Sequence, residues 1–336
     1  MKLKYNPETC LSCEEISCLT NCQYLNLSSY EAKVEIEKIA RGEYSSLLKD
    51  CVACYACEEY CRYGNHPFFR IVELQELHNV EVAPKNVVEE LINKYKAEGE
   101  FKPKKVDKGV LHICLFPELK ERIQSRLFEG LTVVRGRHVF CNLIYLHLGK
   151  ISVIKERAKK VIENISSLGV NEVVFFHDEC YAFYTTFAEA YGIEVPFKPI
   201  HLFEYLYNKL KELKDEIKKL NVKVAYQRPC SNRLIPETDK ILDKLFKLIG
   251  VERVERKYDR ENSLCCGTGL KLQGRDKLAE EVQRKNLGDI VKSNAEIVVF
   301  NCPMCYATLS KAVKELGLKP YLVSDLCRIA IGEQVS

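Results

Sequence analysis

The sequence predicts an α/β protein with an α-helical N-terminal module. From residue 109 onward, strand-like and helix-like segments alternate, as they do in parallel α/β sheets. An internal repeat appears at an offset of 125 residues, where VVFFHDECYA (173–182) aligns with VVFNCPMCYA (298–307) without a gap. The chain before residue 100 lacks this alternation and carries eight closely spaced cysteines. We therefore expect one helical module followed by two copies of one α/β unit.

Individual elements follow from hydrophobic periodicity. Apolar runs of strand length predict strands at 109–116, 172–177, 221–227 and 296–301. Amphipathic patterns predict helices at 87–99, 154–169, 235–250 and 275–291, and residues 24–50 are also expected to be helical. A charged, proline-containing connector at 102–109 places a domain boundary near Lys105. The predicted domains are 1–80 (cysteine-rich helical module), 81–108 (helix and linker), 109–219 (first α/β repeat) and 220–336 (second α/β repeat).

Composition restricts the class of partner. The formal net charge of +4, from 51 basic and 47 acidic residues, is small and evenly spread, which argues against nucleic acid. Neither a signal-peptide apolar region nor a run of 18 apolar residues is found, so we expect a cytoplasmic protein that reaches a membrane only through a partner. Abundant Lys, Glu and Ile with two Met and no Trp resemble the composition of thermophile proteins.

The 17 cysteines are the strongest functional signal in the sequence. Disulfides are rare in the reducing cytosol, although hyperthermophile proteins are an exception. Metal binding or redox chemistry is therefore the favoured interpretation of so many cysteines.

Eight of the cysteines form two runs with the spacing of iron-sulfur ligands. The first run is C-x2-C-x4-C-x3-C and the second is C-x2-C-x2-C-x3-C, which wraps a short loop around three corners of a 4Fe-4S cube. The fourth cysteine of each run commonly serves the other cube. We therefore predict two 4Fe-4S clusters, with structural zinc as the alternative. The predicted ligands are Cys10, Cys13, Cys18 and Cys61 for one cluster and Cys51, Cys54, Cys57 and Cys22 for the other.

This N-terminal module resembles the α-helical ferredoxin module of succinate dehydrogenase iron-sulfur subunits, because the segment between the two runs reads as helical. The first run departs from the ferredoxin pattern by carrying four residues between Cys13 and Cys18. Neither Cys22 nor Cys61 is followed by proline. Because the fourth ligand of each cluster is assigned from the ferredoxin pattern, these departures affect the assignment of Cys22 and Cys61.

The second α/β repeat carries a further set of five thiols. They lie after predicted strands or at the start of helices, where parallel α/β sheets place their sites. A helix N-terminus there also stabilises a thiolate. The five residues are Cys230, Cys265, Cys266, Cys302 and Cys305.

These motifs resemble the CCG, or cysteine-rich, domain family, which includes the B-type and D-type subunits of heterodisulfide reductase and the glycolate oxidase iron-sulfur subunit. The resemblance implies a third, non-cubane 4Fe-4S cluster on the five cysteines of the second repeat, with Cys265 and Cys266 at the catalytic centre. It also implies an α-helical ferredoxin module followed by two CCG repeats, as in the D-type and glycolate oxidase proteins. One departure is Ser231, where family members commonly carry His, with Arg233 nearby.

The first repeat is degraded relative to the second. Phe140 replaces the first cysteine of the CC pair, Asn142 replaces its glycine, and His177 replaces a cysteine of C-x2-C. The four remaining candidate metal ligands suit tetrahedral zinc, but a cluster or an empty site are open alternatives. Those candidates are Cys114, Cys141, His177 and Cys180. We expect structural roles for Cys327, His112, His138, His147 and His201.

Together these features predict an oxidoreductase subunit that passes electrons between its two N-terminal clusters and the third, with a disulfide or a similar two-electron acceptor. The glycines of GTGLKLQG (267–274) are wrongly spaced for a dinucleotide site. The resemblance by itself implies a flavoprotein or cytochrome partner. The alternatives are a non-catalytic electron carrier and an iron-sulfur subunit of a flavin-dependent 2-hydroxy-acid (glycolate or lactate) dehydrogenase complex.

Overall fold

The computed structural model describes residues 1–103, 105–106 and 108–335. The predicted connector at 102–109 therefore includes two residues, 104 and 107, that lie outside the described residues, as does residue 336 of the last predicted domain. The N-terminal part of the chain is helical. Its helices are α1 (Pro7–Leu11), α2 (Ser17–Thr20), α3 (Ser29–Arg41), α4 (Leu47–Asp50), α5 (Ala56–Tyr60), α6 (Pro67–Leu77) and α7 (Lys85–Lys94).

Helix α3 separates the two N-terminal cysteine runs, and its ends are set by local sequence. The Ser28 side chain accepts a hydrogen bond from the backbone N–H of Glu31, and the Glu31 carboxylate accepts one from the backbone N–H of Ser28. This reciprocal capping satisfies two donors that a helix start otherwise leaves unpaired. Gly42 ends the helix with a positive φ of 78°. The buried face of α3 packs in the core beneath the cysteine loops.

The first α/β unit is a four-stranded parallel sheet. Its strand order is β2-β1-β3-β4. The strands are β1 (Gly109–His112), β2 (Leu131–Val134), β3 (Glu172–Phe175) and β4 (Lys198–His201). The helices are α8 (Leu119–Arg122), α9 (Ile151–Ser166), α10 (Asp178–Ala182), α11 (Ala188–Ala190) and α12 (Leu202–Glu212), with a π-helical turn at Phe183–Phe187 between α10 and α11.

The second α/β unit repeats the topology of the first. Its parallel sheet has the order β6-β5-β7-β8, which is the same arrangement of successive strands. The strands are β5 (Val222–Gln227), β6 (Val251–Arg253), β7 (Ile297–Phe300) and β8 (Lys319–Leu322). The helices are α13 (Glu237–Ile249), α14 (Thr268–Leu272), α15 (Asp276–Lys292), α16 (Pro303–Glu315) and α17 (Val323–Ala330).

The predicted fold class, α/β with a helical N-terminal module, is confirmed. The four predicted strands correspond to β1, β3, β5 and β7, the two central strands of each sheet. The outer strands β2, β4, β6 and β8 have three or four residues each and lie outside the predicted strands. Such short runs give too little alternation to be recognised without their partners, because pairing with the central strand is what stabilises them.

The three parts of the chain share their hydrophobic cores. One core joins apolar residues of both α/β units, with α12 packed against α13. A second core joins the N-terminal module to the first unit through Phe68 and Phe69. A small third cluster joins Val52 of the module to Leu264 of the second unit. Within the part of the chain that the structure describes, no helix is both long enough and apolar enough to cross a membrane.

Candidate iron-sulfur centres

The structure brings together the four cysteines predicted for one N-terminal cluster, here termed the first thiol group (Cys10, Cys13, Cys18 and Cys61). Asn65 links two of them, because its Nδ2 donates to Cys10 Sγ at 3.1 Å and its backbone N–H donates to Cys61 Sγ at 3.4 Å. Burial and the charges of the other three thiols raise the pKa of Cys18. The last cysteine of the second run therefore sits with the first run.

The other four cysteines form the second thiol group (Cys22, Cys51, Cys54 and Cys57). They line one small cavity together with apolar side chains that include Leu47 and Phe68. Burial raises the pKa of Cys51 to about 12 and that of Cys54 to about 11, so metal binding must displace these protons. Cys18 of the first group lines the same cavity, so the two groups are adjacent.

The loop that carries the second group has an unusual backbone. Ala53 and Tyr55 adopt left-handed conformations with φ of 53° and 63°. A left-handed backbone conformation costs free energy in any residue other than glycine. It persists only where the surrounding structure holds the backbone in place. Here the turns aim the thiols into the cavity, and the N–H of Ala53 donates to Cys51 Sγ at 3.4 Å. N–H donors of this kind are a means of tuning iron-sulfur clusters.

The third thiol group consists of the five cysteines of the second α/β unit. All five line one cavity of about 360 Å³. Cys230 begins a 3-10 turn after β5, and Cys302 caps the N-terminus of α16. Cys265 and Cys266 lie in the loop before α14, and Cys305 lies in the first turn of α16. The topology therefore places all five at one end of the sheet, where their positions after strands and at helix starts predicted them.

The glycine of the CCG motif has a steric function in this loop. Gly267 adopts a φ of 96°, and an added Cβ would lie 2.7 Å from the Gln283 amide nitrogen. That amide donates to the carbonyl oxygen of Cys266 at 2.8 Å, so it also fixes the loop. The equivalent Asn142 in the first unit has a φ of 65°, and asparagine tolerates this region better than most residues. The backbone turn therefore persists where the cysteine pair does not.

Hydrogen bonds set the proton affinities of the third group. The bond from the Cys265 thiol, together with His147, lowers the pKa of Cys230 to about 6, against the effect of burial. Bonds from Cys265 and Cys305 likewise lower the pKa of Cys266. The N–H of Gly267 donates to Cys265 Sγ at 3.3 Å. The pKa values of Cys265 and Cys305, by contrast, are raised, so protons are shared unevenly among the five thiols and metal ligation would have to displace those that remain.

The remainder of this cavity lies between the two α/β units and is largely apolar. Phe116, Phe140 and Ile144 of the first unit face Leu272 and Met304 of the second. The polar lining comprises Lys94, Tyr95, Glu118, Glu179, Thr268, His147 and His177, together with the thiols. A small molecule could therefore approach the five thiols from a pocket whose walls are largely apolar and whose polar groups would orient it.

His147 is a site residue that sequence reasoning missed, since we expected a structural role for it. Its Nε2 lies 2.9 Å from the Tyr55 hydroxyl of the second-group loop. The same nitrogen lies 3.6 Å from a Glu179 carboxylate oxygen and 4.0 Å from Cys230 Sγ. No pattern in the linear sequence points to this residue, because it has no ligand-like spacing to any cysteine. His112 and His201 are buried within the first unit, where His112 pairs with a carbonyl and His201 with Asp178.

The cysteines of the first repeat also converge. The thiols of Cys114, Cys141 and Cys180 lie within 4.8 Å of one another and are buried. His177, the fourth predicted ligand, does not complete this set within that distance. Its Nε2 instead lies 3.3 Å from Cys302 Sγ of the second unit. The structure thus brings together three of the four candidate metal ligands and places the fourth, His177, between Cys114 of its own unit and Cys302 of the third thiol group. Cys327 is buried in the shared core, in keeping with its expected structural role.

Direct contacts join the second thiol group to the third. The backbone N–H of Cys265 donates to the Tyr24 hydroxyl at 3.1 Å, and Tyr24 follows Cys22 by two residues. Arg233 lies beside Cys54, where its positive charge opposes the effect of burial on the pKa of that thiol. The carboxylate of Glu59 pairs with both Arg228 and Arg233, at 2.8 and 2.9 Å. The loop around the second group is thereby fixed to the start of the CCG unit.

Comparison with known proteins finds a cysteine-rich domain family and several relatives. Residues 224–310 match the cysteine-rich domain family designated CCG. The chain is 28% identical over 197 residues to the D-type subunit of dihydromethanophenazine:CoB--CoM heterodisulfide reductase from Methanosarcina acetivorans, a match that covers 56% of this chain and 48% of that protein. The matched region therefore spans about half the length of that relative.

Two other relatives match along most of the chain. The B-type subunit of fumarate reductase (CoM/CoB) from Methanothermobacter marburgensis is 22% identical over 364 residues, which cover 95% of this chain and 71% of that protein. An uncharacterized iron-sulfur protein of Methanococcus maripaludis is 22% identical over 357 residues, 92% of this chain and 69% of its own length. The predicted resemblance is confirmed: residues 224–310 match the CCG cysteine-rich domain, and the chain is similar to the D-type subunit of heterodisulfide reductase and to other iron-sulfur proteins.

Proposed function

We propose that this chain is an oxidoreductase subunit that passes electrons between a redox partner and a two-electron acceptor bound next to the third thiol group. The observation that carries the proposal is the order of the three thiol groups. The second group shares a cavity wall with the first through Cys18 and contacts the third through Tyr24. Adjacent centres are what stepwise electron transfer needs, and the direction of flow is left open.

The donor sets fit iron-sulfur clusters. The first group (Cys10, Cys13, Cys18, Cys61) and the second (Cys22, Cys51, Cys54, Cys57) each provide four thiols for a 4Fe-4S cube, and the third provides five for a non-cubane cluster. Bound there, the clusters would supply one-electron redox steps in a range set by hydrogen bonding and burial. The protein contributes the amide donors described above and side chains that exclude water, such as Leu47 and Phe68.

The cavity of about 360 Å³ supports an acceptor site between the two α/β units. In this proposal Cys265 and Cys266 lie at the catalytic centre, and a disulfide or similar two-electron acceptor enters from the apolar side. Relatives named as subunits of heterodisulfide reductase and fumarate reductase support an acceptor of this kind. The same names support a separate redox subunit as partner, of the flavoprotein or cytochrome type.

A second candidate function is electron transfer without catalysis. The first repeat favours this function, because it keeps only three clustered, buried thiols where the second repeat has five. In that case the chain would act as a carrier, or as the iron-sulfur subunit of a flavin-dependent 2-hydroxy-acid dehydrogenase. The first-repeat candidates Cys114, Cys141, His177 and Cys180 would then hold zinc, a cluster or no metal.

Metal analysis and EPR of anaerobically purified protein test the proposal. Three 4Fe-4S clusters correspond to about twelve iron atoms per chain. Replacing Cys265 with Ser should remove or alter one EPR signal and leave the two cubane signals intact. Cys327→Ala, at a buried thiol outside the three groups, is the control and should keep all signals. Iron near eight atoms per chain in the unaltered protein, with a Cys265 variant that changes no signal, would exclude the third centre.

A further inference from the structure

We propose that His177 sets the reduction potential of the third thiol group by donating a hydrogen bond to Cys302, and that it is not a metal ligand of the first repeat. The inference rests on the proposed function, since it requires a cluster at the five cysteines. It assigns a positioning and tuning role to a residue that replaces a cysteine in the sequence.

The position of His177 follows from the repeat. His177 and Cys302 are equivalent residues at the offset of 125, and each caps a helix directly after the third strand of its unit. The two units pack so that these equivalent positions face each other. His177 Nε2 lies 3.3 Å from Cys302 Sγ, within hydrogen-bond distance for a sulfur acceptor. A cysteine here would place two thiols in contact, whereas histidine supplies a donor.

The surroundings hold the imidazole in this orientation. Both His177 and Cys302 are buried. The ring of Phe116 packs edge-on against the imidazole, with centroids 5.1 Å apart. The three thiols of the first repeat lie within 4.8 Å of one another without the histidine, and Cys114 among them is near enough to raise its pKa. The imidazole is therefore fixed by packing and by its contact with Cys302, at the boundary between the first repeat and the third thiol group.

The expected electrostatic effect has a definite sign. Reduction adds negative charge to a cluster and its thiolate ligands. A donor aimed at a ligand sulfur stabilises that extra charge and so raises the reduction potential. Burial strengthens the effect, because the local dielectric constant is low. Loss of the donor should therefore lower the potential of the third centre alone.

The test is an EPR-monitored redox titration of the anaerobic protein, combined with iron and zinc analysis. At a fixed solution potential, His177→Phe should lower the reduced-to-oxidised ratio of the third centre about tenfold, which is about 59 mV for a one-electron couple. His177→Gln retains an N–H donor and should recover part of the ratio. His138→Phe, at a histidine that packs on Phe101, is the control.

Other outcomes would overturn the inference. An unchanged potential with loss of zinc or iron from the first repeat would identify His177 as a ligand there. Absence of any third centre in the unaltered protein would refute the proposed function, and this inference with it. If His177→Phe does not fold, pulsed EPR of protein labelled with ¹⁵N-histidine provides a second measurement. A histidine nitrogen coupled to the third centre should appear, and should weaken in His177→Gln; no such change would contradict the proposal.

Discussion

Replacement of Glu59 by Gln should destabilise the junction between the N-terminal module and the CCG unit. Glu59 pairs with two arginines that are almost completely buried, since Arg228 is 2% exposed and Arg233 is 3% exposed. Removing the carboxylate charge deprives both guanidinium groups of the carboxylate that contacts them. Breaking a buried ion pair by removal of one partner costs about 3–5 kcal/mol. The arginines keep neutral acceptors in the carbonyls of Arg260 and Ser263, so we expect the lower end of that range.

The assay is anaerobic urea denaturation of the cluster-loaded protein, followed by circular dichroism and by cluster absorbance. Glu15→Gln is a matched control, because Glu15 pairs with Arg62 at 2.6 Å while the two side chains are 50% and 70% exposed. Exposed pairs contribute about 0–1 kcal/mol. Destabilisation below about 1 kcal/mol for Glu59→Gln, or a loss equal to that of the control, would refute the assignment of a buried ionic junction.

Two further predictions concern the cysteine loops. Gly267→Ala should cost about 1–3 kcal/mol and reduce the iron bound at the third thiol group, because a Cβ at this positive φ meets Gln283 at 2.7 Å. Gly317→Ala, also at positive φ but with no atom within 4 Å, should cost less and keep its iron, as measured by denaturation and iron analysis. Asn65→Leu removes the donor to Cys10 and should lower the potential of one cubane signal in a redox titration. A potential equal to that of the unaltered protein would show that this bond has no tuning effect.

The first α/β unit, which carries the degraded repeat, places two histidines next to thiols of the second unit. His147 and His177 both come from the first α/β unit, and their imidazoles lie near Cys230 and Cys302 of the second. The first unit also supplies the apolar wall of the shared cavity through Phe116. In our proposal the first unit thus forms part of the environment of the third centre.

The fold class, the repeat and the CCG resemblance follow from the amino-acid sequence alone. They depend on short-range patterns: the period of apolar residues in the central strands, the 125-residue offset and the spacing of cysteines within one loop. Such patterns can be recognised in the sequence because they involve residues that are close together along the chain. The structure places Cys61 beside Cys10 and Cys22 beside Cys51, and the exchange of these two cysteines as cluster ligands stays a prediction.

How the parts meet is visible only in three dimensions. The pairing of Glu59 with Arg228, the approach of Tyr24 to Cys265 and the contact of His177 with Cys302 join residues more than 100 positions apart. No periodicity encodes such contacts, because they depend on how whole units pack and orient their faces. For this reason the sequence predicts His177 only as a ligand of its own repeat, whereas the packing of the units also brings its imidazole to within 3.3 Å of Cys302 in the other repeat.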